Sequence, residues 1–226
     1  MENYSIHTKL YVAVDCVIFT YEEDELKILL YPRSFEPSVG KWSLMGGFVE
    51  PNKKLEEEAQ KVLYNTVGLK NVYLEQVLAF SDPGRDSGGR VISIGFYALM
   101  PIDYQDKEFV RKSGAHWWPI NSLPELIFDH KQIIDAALQK LQQKARISLV
   151  GKEMLPDKFT LTKLHNLYNA IFQKKFDAGN FRKKILSLNV LKKLPIKDTS
   201  GSKRGAFYFA FKEDINTDQL ERIVKI

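Results

Sequence analysis

Two rhythms of apolar residues run along the chain and place most of its elements. The stretch TKLYVAVDCVIFTYEEDELKILLYPR (8–33) holds two apolar runs around an acidic turn at Glu22 to Glu25, which predicts a strand hairpin. Residues 55–67 change to a helical rhythm, and Gly68 follows where a helix C-terminus favours a residue tolerant of positive φ. Two further strand-like runs are VYLEQVLAF (72–80) and RVISIGFYALM (90–100), joined by the Gly-, Asp- and Ser-rich loop SDPGRDSGGR. AHWWPI predicts another strand, and HKQIIDAALQKLQQKA (130–145) an amphipathic helix. Strands, helix, strands and helix around one core is the order of an α/β sandwich.

Periodicity fades after Arg146, where Gly151 and Pro156 appear. This predicts a first domain over 1–148, a linker over 149–158 and a second domain over 159–226. In the tail, Leu161, Leu164, Leu167, Tyr168 and Ile171 fall on one helical face. Asp177 can cap a second helix, with Phe181, Ile185 and Leu188 as its apolar stripe. LKKLPIKDTSGSKRGAFYFAF then reads as two strands around a turn at Ser200 to Gly205.

Charge sharpens this division. Residues 151–226 carry 16 Lys+Arg against 8 Asp+Glu, whereas 1–150 carry 17 against 20. A basic module beside a mildly acidic one points to a polyanionic partner for the former. No apolar run approaches the roughly 20 residues of a membrane span, and the N-terminus shows no secretion signal. The single cysteine, Cys16, lies in an apolar run, which predicts a buried thiol and a reducing, cytoplasmic setting.

The stretch GGFVEPNKKLEEEAQKVLYNTVGL (46–69), preceded by WSLM, resembles the Nudix box of metal-dependent hydrolases. With Gly68 as its last glycine, the first falls on Gly47 and the frame fits without gaps. The resemblance implies a Nudix fold but not its chemistry. The first glutamate position holds Lys53, the Arg-Glu pair is Lys61-Val62, and the Glu-Glu pair is Asn65-Thr66. Mg²⁺ wants anionic oxygen ligands, and these positions offer none, so loss of hydrolysis and no metal are expected. Glu50 and Glu58 are the carboxylates near enough to substitute. The preferred reading makes Glu56, Glu57 and Glu58 a solvated helix start, with Glu57 pairing Lys61.

Helix, tight turn, helix and basic hairpin is the order of a winged helix-turn-helix. Asn180, Arg182, Lys183, Lys184 and Asn189 lie off the apolar stripe, and Ser202, Lys203 and Arg204 occupy the hairpin turn. Arg and Asn can read base edges, Lys mainly neutralises phosphate, and the first residues of such a helix reach furthest into the groove. This points to Asn180, Arg182 and Lys183 as base readers. Together with the degenerate box, the tail resembles that of the NrtR-like or AraR-like Nudix-related regulators of bacteria. The fold class implied is α+β, a Nudix-type α/β/α sandwich followed by a winged helix-turn-helix domain. The resemblance further implies a homodimer on double-stranded operator DNA. It also implies repression of NAD-metabolism or sugar-catabolism genes, and an ADP-ribose-like or pentose effector.

For the effector site, Arg33, Trp42, Ser43, Asp82, Arg85 and His130 are candidates. Arg33 and Trp42 flank the box, and the 81–90 loop supplies polar groups for sugar hydroxyls or phosphates. Each also has a plainer reading: Trp42 as core, Arg33 and Asp82 as a surface pair, His130 as a helix-start group. The four histidines show no metal-ligand spacing. Two other functional classes remain: an atypical active hydrolase of ADP-ribose or another nucleoside diphosphate derivative, and a non-specific nucleic-acid or protein module.

Overall fold

The computed structural model describes residues 4–70, 72–101, 103, 107–200 and 204–213. Seven strands form the first sheet: β1 (Tyr11–Glu22), β2 (Glu25–Pro32), β3 (Trp42–Ser43), β4 (Met45–Phe48), β5 (Leu74–Phe80), β6 (Val91–Leu99) and β7 (His116–Pro119). Their order is β3-β2-β1-β6-β5, with β4 also pairing β1 and β7 pairing β2. The β1–β2 turn is made by Glu23 and Asp24, both with positive φ. From Ala13 to Tyr21 every residue of β1 is buried, so both faces of this strand are covered, as a sandwich requires.

Helix α1 (Leu55–Val67) lies against β4 and ends on Gly68 at φ 73°, with the Gly68 N–H donating to the Tyr64 carbonyl. Gly47 allows the close approach: a Cβ there would stand 2.8 Å from Val62 Cγ2. A short helix α2 (Lys107–Ser113), for which the sequence pattern gives no expectation, packs on α1. Helix α3 (His130–Ile147) presents Ile133 to β6 at Gly95, and buries Ile134, Ala137 and Leu141. Cys16 is fully buried, and burial pushes its thiol well above the ordinary range, leaving it unreactive.

The remaining elements are β8 (Phe159–Thr160), α4 (Leu161–Phe172), α5 (Ala178–Ser187), β9 (Leu191–Asp198) and β10 (Ala206–Phe211). The strands form an antiparallel sheet, β8-β10-β9. Thr160 caps α4 by accepting from the Lys163 N–H, and Asp177 caps α5 by accepting from the Asn180 N–H. Between the helices, Asn169 Oδ1 accepts from the Phe176 N–H at 2.9 Å, and Gln173 takes φ 53°. The core is aromatic: Tyr168 and His165 each pack on Phe181 at 5.2 Å. Phe181 and Ile185 are buried as expected, while Leu188 is half-buried just past the helix end.

By compactness the chain divides into two units. One holds the described residues of 1–19, 28–98 and 105–137, the other those of 20–27, 99–104 and 138–226. The segment 149–158 is no exposed tether. Leu149, Val150, Met154 and Leu155 are buried, and Gly151 lies close against Leu164 and Phe211 within the second unit. Glycine and proline end the helical rhythm there without ending the packing. Among the described residues no helix is long and apolar enough to cross a membrane.

Candidate functional site

A cleft partly open to solvent lies in the first unit beside the two box glycines Gly46 and Gly47. Four of the expected effector residues, Arg33, Ser43, Arg85 and His130, line it. Trp42 and Asp82 do not. Trp42 is half-buried and packs edge-on against Trp118 at 5.3 Å and His116 at 5.6 Å, the plainer of its two readings. Asp82 is exposed and shapes the turn that delivers Arg85: its Oδ1 accepts from Gly84 N–H and its carbonyl from Arg85 N–H.

The floor of the cleft is a buried charge cluster centred on Asp15. Ser93 Oγ donates to Asp15 Oδ2 at 2.5 Å, and Arg85 Nη2 reaches the same oxygen at 3.4 Å. Arg85 also grips Asp129 with two bonds, Nε to Oδ2 at 2.9 Å and Nη2 to Oδ1 at 2.7 Å. Burial opposes the charge on Arg85, but Asp129 and Asp15 outweigh it, and the guanidinium binds its proton more tightly than usual. His130 is buried at the start of α3, where its Nδ1 accepts from the Leu44 N–H at 3.0 Å. Its Nε2 lies 3.6 Å from Asp15 Oδ1. Burial, the larger influence, lowers the His130 pKa despite the pull of Asp15 and Asp129, so the ring is neutral at pH 7.

Above this floor the walls are aromatic and cationic. The Arg33 guanidinium sits 3.9 Å over the Phe35 ring and 5.2 Å from that of Phe128, with Nε donating to the Phe35 carbonyl. Tyr31 and Phe48 complete the wall. A cleft with one accessible guanidinium, exposed aromatic faces and a buried carboxylate suits a ligand carrying a planar ring, hydroxyls and phosphate. The sequence-based expectation omits Asp15, Ser93, Asp129, Tyr31 and the three phenylalanines Phe35, Phe48 and Phe128. Asp15 left a signal, a lone carboxylate inside the apolar run YVAVDCVIF.

The box helix needs a correction. Glu58 is not solvated but buried, and Lys61 pairs with Glu50 and Glu58 rather than with Glu57. Glu57 instead accepts from the Lys54 N–H at 3.3 Å across the helix start. Lys61 Nζ bonds Glu50 and lies 3.1 Å from Glu58 Oε1. Two carboxylates near one ammonium, one of them out of water, outcompete an exposed i, i+4 partner. Lys53 and Lys61 are cations, Val62 is packed under Gly47, and Asn65 and Thr66 are neutral. This donor set does not fit Mg²⁺. The two neighbouring carboxylates, Glu50 and Glu58, are held by a lysine instead.

In the second unit, Asn180, Arg182, Lys183 and Lys184 are exposed on α5. Asn189 follows the helix at φ 55°, its Oδ1 accepting from Lys212 Nζ at 2.7 Å. Arg204 is exposed at the hairpin turn, while Ser202 and Lys203 lie outside the described residues.

A family model of the NrtR DNA-binding winged helix domain matches residues 151–211. The fold of NrtR from Shewanella oneidensis, solved in complex with a 27mer DNA, superposes on 93% of this chain and 96% of its own, with a TM-score of 0.78 and 30% identity. The chain belongs to the NrtR family. The Nudix domain of the same Shewanella NrtR, solved with ADP ribose, matches 62% of this chain and 94% of its own at 28% identity and a TM-score of 0.51. An ADPR responsive transcriptional repressor of Acinetobacter baylyi is 28% identical over 215 residues, 92% of this chain and 86% of its own. An ADP-ribose pyrophosphatase of Methanocaldococcus jannaschii is 35% identical over 134 residues, 59% of this chain and 76% of its own. NrtR membership thus accounts for both halves: a Nudix-type sandwich and a winged helix-turn-helix.

Proposed function

We propose that this protein is a transcriptional repressor of NAD-metabolism genes whose Nudix cleft senses ADP-ribose without hydrolysing it. The observation that carries the reading is the match, across nearly the whole chain, to an NrtR solved on DNA, whose Nudix domain was solved with ADP ribose. The cleft chemistry supports it. Arg33 is the phosphate ligand, the Phe35 and Phe128 faces take the planar base, and the Asp15 cluster fixes the floor against which ribose hydroxyls bond. The pentose and sugar-catabolism readings lack such support. DNA is held by α5 and the β9–β10 hairpin of a homodimer, the two copies meeting half-sites about one helical turn apart. ADP-ribose lowers DNA affinity by binding the DNA-free conformation better.

The pyrophosphatase relative favours a second reading, residual hydrolysis. The donor set argues against it, because hydrolysis in this fold needs carboxylates where the chain has Val62, Asn65 and Thr66. One experiment separates the two. Calorimetry of ADP-ribose binding, followed by measurement of AMP release with and without Mg²⁺, should show metal-independent binding and no AMP. Binding should weaken at least tenfold in Arg33→Ala. Mg²⁺-dependent AMP release would establish the enzyme, and absence of binding would remove ADP-ribose as effector.

A further inference from the structure

The second unit carries its own groove, open to solvent, between the start of α4, one face of α5 and the β9–β10 hairpin. Its polar lining groups are Thr162, Arg182 and Lys193, on an apolar floor that includes Leu186 and Phe207, and among the described residues no carboxylate lines it. Lys193 Nζ rides 3.6 Å over the Phe207 ring, with Lys197 Nζ 4.7 Å from the same ring. Among the described residues neither Arg182 nor Lys193 forms an ion pair. Two cations that share a groove without a counter-charge fit a polyanion. Holding the Lys193 ammonium over an aromatic ring limits what its ordering costs on binding.

Helix geometry separates Arg182 from the other basic residues of α5. Asn180, Lys183, Lys184 and Ser187 recur at i, i+3, i+4 and i+7 on one exposed face. Arg182 and Leu186, four residues apart, turn instead towards the hairpin and line the groove. We propose that this groove seats the sugar–phosphate backbone of one DNA strand, with Arg182 and Lys193 as its phosphate ligands. Base reading falls to the face carrying Asn180 and Lys183. The inference rests on the DNA-binding reading above and narrows it. Arg182, which sequence alone assigns to base edges, becomes a positioning contact. The apolar floor suits deoxyribose, which offers little to hydrogen-bond.

The test uses the full chain and a duplex enriched by it from a randomised pool, with a scrambled duplex beside it. Binding is followed by fluorescence anisotropy across a range of salt, and folding of each variant by its melting curve. Arg182→Ala and Lys193→Ala should weaken both duplexes by the same factor. Each should reduce the slope of log affinity against log salt by about 1, as expected for one lost phosphate contact. Re-selection with either variant should return the wild-type consensus, whereas Asn180→Ala should relax it at one position. A changed consensus with an unchanged salt slope in Arg182→Ala overturns the proposal. So does an unchanged slope in Lys193→Ala, or an unchanged consensus in Asn180→Ala. If the wild type enriches no duplex at all, the DNA-binding reading itself falls, and the groove proposal with it.

Discussion

Arg85 and Asp129, 44 residues apart, are joined by a two-point grip in which both Arg85–carboxylate bonds are shorter than 3.0 Å. The same guanidinium reaches Asp15, so one buried cation balances a buried carboxylate and a half-buried one. Removing it strands both. Arg85→Ala should therefore destabilise the fold by about 3–5 kcal/mol, the usual cost of breaking a buried charge pair from one side. Urea unfolding measures this directly. Arg85→Lys should recover only part of the loss, because an ammonium lacks the planar fork that fits a carboxylate.

His130 makes stability depend on pH. Burial lowers its native pKa below the ordinary value of 6.5, while Asp15 and Asp129 pull the other way and Arg85 and Arg33 reinforce the lowering. Between pH 6.5 and the lower native value, the unfolded chain binds a proton here and the folded chain does not. Stability therefore rises with pH across this window and is lost as pH falls through it. His130→Asn keeps an acceptor for the Leu44 N–H but removes the titration. Urea midpoints at pH 7.5, 6.5 and 5.5 should fall less steeply in this variant than in the wild type.

The contact of Gly47 with Val62 gives a paired prediction. Gly47→Ala places a methyl 2.8 Å from Val62 Cγ2 and should cost about 1–3 kcal/mol through overpacking. Val62→Ala opens space at the same point. In the double variant part of the cost should disappear, a positive coupling that a double-mutant cycle in urea detects. Additive losses would show that the helix and strand do not meet as described.

These residues also show what was legible in the sequence. The hairpin of β1 and β2, helix α1 with its Gly68 terminus, α3, and the cap Asp177 follow from local periodicity and terminal chemistry. Each is determined within one or two turns of chain. The cleft is different. Asp15 meets Arg85 across 70 residues and Leu44 meets His130 across 86, and no local pattern carries such pairs. Glu58 was misread for the same reason. In sequence Glu56, Glu57 and Glu58 look alike, and only the packing of α1 on β4 decides that Glu58 is the buried one. Trp42 and Asp82 lie close in sequence to true cleft residues, yet packing on Trp118 and turn-building at Gly84 claim them.

The central claim, that a cleft without a metal site controls a DNA-reading domain, is tested most directly by one titration. Affinity for a duplex selected by the full chain is measured by anisotropy at near-physiological salt, with and without ADP-ribose, for wild type and Arg33→Ala. Wild type should bind in the absence of ADP-ribose and lose at least tenfold affinity at saturation, about 1.4 kcal/mol of coupling. Arg33→Ala should bind the duplex equally well but respond only at much higher ADP-ribose. Equal DNA affinity with and without saturating ADP-ribose would contradict the claim.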